Sequence, residues 1–164
     1  FGNQVARHTF FFLLFNAGMF HAGVSLLPTS TCMLAVLFAY AAWLHERHLT
    51  GLAIGAFAVL VCWPFCALMF VPMGLDALRV RGFLPVLGCG LAALALFVGV
   101  PAAVDTFFYG KPTVAILNLV LYNALGQGGD GQGADLYGSE PWHFYFQNLA
   151  LNLNAVAALG LVAP

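Results

Sequence analysis

Long apolar stretches joined by very short polar segments constrain this chain more than any motif in it. A membrane-crossing helix needs about 20 predominantly apolar residues. The sequence offers candidates at Thr9–Leu27, after Arg7 and His8, and at Thr29–Leu44, after Pro28. Others follow at Gly51–Leu78, Phe83–Val104 and Phe144–Val162. Charged residues are 7% of the chain and hydrophobic residues 62%, with a mean hydropathy of +0.93. A soluble domain carries about a quarter charged residues, so this chain has too few to coat a water-facing surface. The expected fold class is all-α, a polytopic membrane helix bundle. The net charge of -1 and the sparse basic residues leave no footprint for nucleic acid. Starting at Phe1 and stopping at Pro164 after an apolar run, residues 1–164 read as an internal fragment of one transmembrane domain. The n-region and cleavage site of a signal peptide are not visible.

Orientation follows from the positions of Lys and Arg. Arg7, Arg47, Arg79 and Arg81 are the basic residues of the short joints. If Gly51–Leu78 crosses once, Arg47 and Arg79/Arg81 fall on opposite sides. If it is a broken or re-entrant hairpin bent near Trp63-Pro64, all the arginines share the cytoplasmic side. Proline inside a helix removes a backbone bond and clashes with the preceding turn, which favours the hairpin. The region 105–143 is then a luminal loop, with Asp105, Asp130, Asp135 and Glu140 set against the single Lys111. Within it Val114–Leu125 is apolar with Asn118 and Asn123 interleaved, the pattern of a helix lying in the membrane interface. Gly126–Gly133 has too little side chain to pack and lacks the Gly-Lys-Ser/Thr ending of a phosphate loop.

Two polar clusters lie on the luminal side. In Asp105-Thr-Phe-Phe-Tyr-Gly-Lys111, Asp105 can hold a sugar hydroxyl and Lys111 can bind a phosphate as a compact point charge. Interfacial anchoring explains the same residues: Tyr109 sits at headgroup level, the lysine snorkels and the aspartate ends the helix. In Tyr137–Phe146, Glu140, Trp142 and His143 bring a carboxylate, an indole and an imidazole within a few residues. An aromatic belt, with Glu140 favouring a helix N-terminus before Pro141, reads equally well there. Asn148, Asn152 and Asn154 fit hydrogen bonds between helices, and His21 reads as a structural histidine. Cys32, Cys62, Cys66 and Cys89 lie in apolar stretches and read as small filler. Neither Cys62/Cys66 nor His45/His48 has further ligands nearby, so no metal site is expected, and no cofactor is called for. Ser139 has no nucleophile-elbow context.

Several segments resemble one family: Asp105–Lys111, Leu117–Asn123, Asp135–Tyr145, Leu151–Asn154, Leu27–Met33 and Trp63-Pro-Phe65. They are similar to the dolichyl-phosphate-mannose-dependent mannosyltransferases of the endoplasmic reticulum, multi-spanning glycosyltransferases of the C type. The resemblance covers nearly the whole chain and implies a glycosyltransferase of the endoplasmic-reticulum membrane. Its donor would be dolichyl-phosphate-mannose and its acceptor a lipid-linked oligosaccharide. Mannose would pass in alpha-1,2 linkage, with inversion, at the luminal face during assembly of the N-glycan precursor. The related enzymes of GPI-anchor assembly share a similar box. In this family the acidic base belongs to a luminal loop expected upstream of Phe1, and a later His-Lys-Glu motif is expected beyond Pro164. The segment alone is therefore expected to be inactive. Asp105, Tyr109, Lys111, Glu140, Trp142 and His143 are expected to contact substrate or position loops, and the catalytic residue itself is not assigned. Outside the family, a non-catalytic membrane subunit or a transporter segment would suit the same composition. The transporter reading calls for repeat symmetry and intramembrane charges, which the sequence lacks.

Overall fold

The computed structural model describes residues 2–25, 27–125, 140–153 and 158. The Gly126–Gly133 run, Asp130, Asp135, Tyr137–Ser139 and Asn154 lie outside the described residues. The chain divides into two compact units: Phe1–Leu26 with Tyr137–Pro164, and Leu27–Leu136. Every element among the described residues is helical.

The first unit holds α1 (Asn3–Phe15), α2 (Ala17–Val24) and α9 (Trp142–Leu153). The apolar run Thr9–Leu27, expected to form one helix, is broken at Asn16. Asn16 is extended (φ -81°, ψ 116°) and its Oδ1 accepts from the Met19 N–H at 3.2 Å. A capping amide of this kind starts a new helix because it satisfies a donor the first turn leaves open. Gly18 lets α2 approach α9: a Cβ there would meet the Asn152 carbonyl oxygen at 3.0 Å. Among the described residues, the Asn152 Nδ2 donates to the Asn148 carbonyl of its own helix at 2.8 Å, a back-bond within α9 where an interhelical bond was expected.

The second unit begins with α3 (Pro28–Leu44), whose Pro28 occupies the first turn, where a missing N–H costs nothing. The helix ends in a tight turn in which Glu46 adopts φ +60°. That left-handed conformation is costly for a non-glycine residue and is held by donors on its carbonyl: His48 Nδ1–H at 2.8 Å and Arg81 Nη2–H at 3.0 Å. Next comes α4 (His48–Phe57), which runs into a π turn at Ala58–Cys62. Trp63 is extended (φ -149°, ψ 103°), as a residue before proline prefers. A 3₁₀ helix, Pro64–Phe70, and α5 (Val71–Arg81) follow. The chain doubles back at this break: Phe70 lies against Gly55, Met73 against Gly51, and Asp76 against His48.

Cys32, Ala35, Ala39, Ala58, Cys62, Cys66, Phe70 and Met73 form the buried core of this unit. Small residues on α3 and α4 let the backbones close up: a Cβ on Gly51 would lie 3.1 Å from the Ala39 carbonyl oxygen. Three of the four cysteines thus serve as the small filler expected of them. No group of three or more metal-ligating side chains occurs among the described residues.

After Gly82 (φ +81°) the longest helix starts. It comprises α6 (Phe83–Leu94), a π turn at Ala95–Gly99 and α7 (Val100–Tyr109). The π turn precedes Pro101, which cannot donate to the turn before it. Among the described residues Phe83–Tyr109 is the one helix long and apolar enough to cross a membrane, with 27 residues and a mean hydropathy of 2.3 in its best window. Pro28–Leu44 and His48–Cys62 are apolar but shorter. The long helix continues five residues past the expected end at Val104, so Asp105 and Tyr109 stand on the helix and not in a loop after it. The last element here, α8 (Ala115–Leu125), occupies the expected Val114–Leu125 stretch almost exactly residue for residue.

Candidate functional site

The end of α7 and the start of α8 build a polar cavity of about 710 Å³, lined by Asp105, Tyr109, Lys111, Thr113, Asn118 and neighbouring apolar residues. Asp105 and Tyr109 share a helix face because they are four residues apart. The turn that presents Lys111 is held at several points. Gly110 closes α7 with φ +65°, its N–H donating to the Thr106 carbonyl at 3.0 Å. The Thr113 N–H donates to Thr106 Oγ1 at 3.1 Å, and the Thr113 hydroxyl donates to the Lys111 carbonyl at 3.0 Å. Among the described residues no carboxylate lies within ion-pair distance of Lys111. Lys111 lines the cavity and can offer its charge to an anion there, and the nearby N-terminus of α8 adds a favourable dipole. The chemistry offered is binding: a cation, a phenol, an amide and one carboxylate around a water-accessible space.

Glu140, Trp142 and His143 come together by sequence adjacency at the start of α9, in the other compact unit. All are exposed, Trp142 to 74%. The α9 helix begins at Trp142, two residues past Glu140, and the Phe144 N–H closes on the Pro141 carbonyl at 2.9 Å. Trp142 packs edge-on against Phe146, with ring centroids 5.8 Å apart. This indole is partly braced, while the carboxylate and imidazole face outward.

One polar cluster escaped sequence reasoning. Trp43 Nε1–H donates to Asp76 Oδ2 at 2.6 Å, and His48 Nε2 lies 3.1 Å from the same oxygen. His48 is only 5% exposed. Asp76 lies at the Arg47/Arg81 end of the α4–α5 pair. The signal available was that Asp76 is the one charge inside the apolar stretch Gly51–Leu78. With both His48 ring nitrogens and Asp76 Oδ2 engaged internally, this cluster ties three helices together.

A largely lipophilic helical chain, with a membrane-length helix ending in a cation-bearing polar cavity, has the build of a helical membrane protein. The chain belongs to the Alg9-like mannosyltransferase family, whose profile matches residues 1–163. Curated relatives agree with this. Alpha-1,2-mannosyltransferase ALG9 of Mus musculus is 39% identical over 166 residues, covering 99% of this chain and 26% of the relative. The Homo sapiens protein of that name is 37% identical over 169 residues, with 99% and 26% covered. The Saccharomyces cerevisiae protein is 31% identical over 161 residues, with 91% and 28% covered. The chain therefore spans about a quarter of the length of the relatives it matches. No solved structure matches it significantly.

Proposed function

We propose that the chain is part of a multi-pass mannosyltransferase of the endoplasmic-reticulum membrane. It moves mannose from dolichyl-phosphate-mannose to a lipid-linked oligosaccharide, in alpha-1,2 linkage and with inversion, at the luminal face. The observation that carries this reading is the cavity of about 710 Å³ at the end of the membrane-length helix, with Lys111 and Asp105 in its wall. The names of the relatives support the linkage type. An inverting displacement needs a base for the acceptor hydroxyl and charge stabilisation for the departing phosphate. Lys111 supplies the second and Asp105 and Tyr109 orient sugar hydroxyls, while Glu140, Trp142 and His143 contact substrate or position loops. The base is not assigned to any residue of 1–164. The α4–α5 pair enters and leaves the membrane from the cytoplasmic side, a reading supported by its antiparallel packing and by Arg47, Arg79 and Arg81 at one end.

The test is transfer from labelled donor in microsomes carrying the full-length protein. Lys111→Ala should lower the rate on the order of 10²-fold, and Lys111→Arg should retain part of it. Glu140→Ala should reduce transfer while the protein still inserts into the membrane. Wild-type rates for Lys111→Ala would remove the phosphate role and the reading built on it.

A further inference from the structure

Directly beside the polar cavity lies an apolar groove of about 310 Å³. It runs between the π turn of α4 at Leu60 and Val61, the helix face carrying Phe97 and Ala102, and the first turns of α8 at Ile116. Ala115 and Leu119 line both spaces, so one wall of α8 is polar-facing on one side and apolar-facing on the other. A second apolar cavity, of about 330 Å³, lies between α4 and α6 against Phe70 and Gly90 and shares no lining residue with the polar one. Only the first groove continues from a cation.

We infer that the groove holds the lipid-proximal end of the donor's single apolar chain while Lys111 holds its phosphate. The two spaces then form one bipartite site for a lipid phosphate. The occupant is fixed by chemistry on both sides of Ala115. A lone anion would leave the groove empty, and a plain hydrocarbon would leave Lys111 without a counter-charge. A phosphate carrying one long apolar chain satisfies both, and its bond to the sugar lies at Asp105 and Tyr109. This assignment rests on the reading of the polar cavity as the donor's headgroup site.

The experiment uses the full-length protein, a prenyl phosphate bearing a diazirine in its first isoprene units, and steady-state kinetics with dolichyl-phosphate-mannose. Irradiation should label wild-type protein at Ala102, Ile116 or their neighbours, and Lys111→Ala should strongly reduce that labelling. Ala102→Phe, which fills the groove, should raise the donor KM about tenfold and leave the acceptor KM unchanged. Gly90→Leu, which fills the other cavity, should change neither. If Lys111→Ala impairs transfer but the label lands elsewhere, the groove assignment is overturned while the headgroup site stands. If Lys111→Ala has no effect on transfer, the headgroup reading fails first. Should Ala102→Phe not fold, labelling of the wild-type protein decides the question alone.

Discussion

Gly55→Ala sets two effects of opposite sign against each other within one helix. Replacing a mid-helix glycine by alanine stabilises the helix by about 1 kcal/mol. At Gly55, however, the new Cβ would lie 2.8 Å from Phe70 Cδ1, 3.0 Å from Cε1 and 3.2 Å from Cγ. The whole edge of the ring is met, so a small rotation of its tip does not relieve the clash. Phe70 is 8% exposed and sits beside the Tyr40 ring, centroids 6.3 Å apart, which blocks retreat. Overpacking of this kind costs about 1–3 kcal/mol, so the net effect runs from neutral to about 2 kcal/mol destabilising. Gly74, on the opposing helix, has nothing within 4 Å of an added Cβ. There the propensity gain stands alone, about 1 kcal/mol stabilising. Thermal unfolding in detergent, followed by a thiol-reactive dye reaching the buried Cys32, Cys62 and Cys66, reads both variants. Their melting temperatures should move apart by several degrees, and adding Phe70→Leu should recover part of the Gly55→Ala loss. Equal shifts in one direction would refute the close approach of α4 to the 3₁₀ helix.

Asp76→Leu should lower the melting temperature at neutral pH by removing the acceptor shared by Trp43 and His48. Gly110→Ala forces a Cβ into a left-handed turn at φ +65°, a cost of about 1–2 kcal/mol. In the full-length enzyme it should raise the donor KM by loosening the presentation of Lys111, which kinetics against dolichyl-phosphate-mannose would show.

Apolar length and composition alone located α3 and α8 to within a residue, because nothing in Thr29–Leu44 or Val114–Leu125 competes with the helix. They failed at Asn16, where one amide caps a new helix inside an apolar run. They failed again at Asp105, where a charge ends the apolar pattern but not the hydrogen-bond ladder, which runs on to Gly110. Asp105, Tyr109 and Lys111 were nameable as a group from their spacing. The contributions of Thr106 and Thr113 were not, since they depend on a turn whose closure pairs a helix hydroxyl with a backbone N–H seven residues on. The Trp43–His48–Asp76 cluster was out of reach for a similar reason: its partners lie 28 and 33 positions apart and meet only when the chain doubles back.

The π turn at Ala95–Gly99 makes the length of the long helix as consequential as its composition. It accommodates one residue more than an α-helix would over the same rise, and each residue of α-helix advances the face by about 100°. Inserting a single apolar residue in the regular turns beside it would turn Asp105, Tyr109 and Lys111 together by about 100° relative to α4, with no polar group altered. Hydropathy would scarcely register the change. A lipid-facing stretch that looks freely interchangeable in kind is therefore strict in number, acting as a phase-setting spacer for the polar end of the helix.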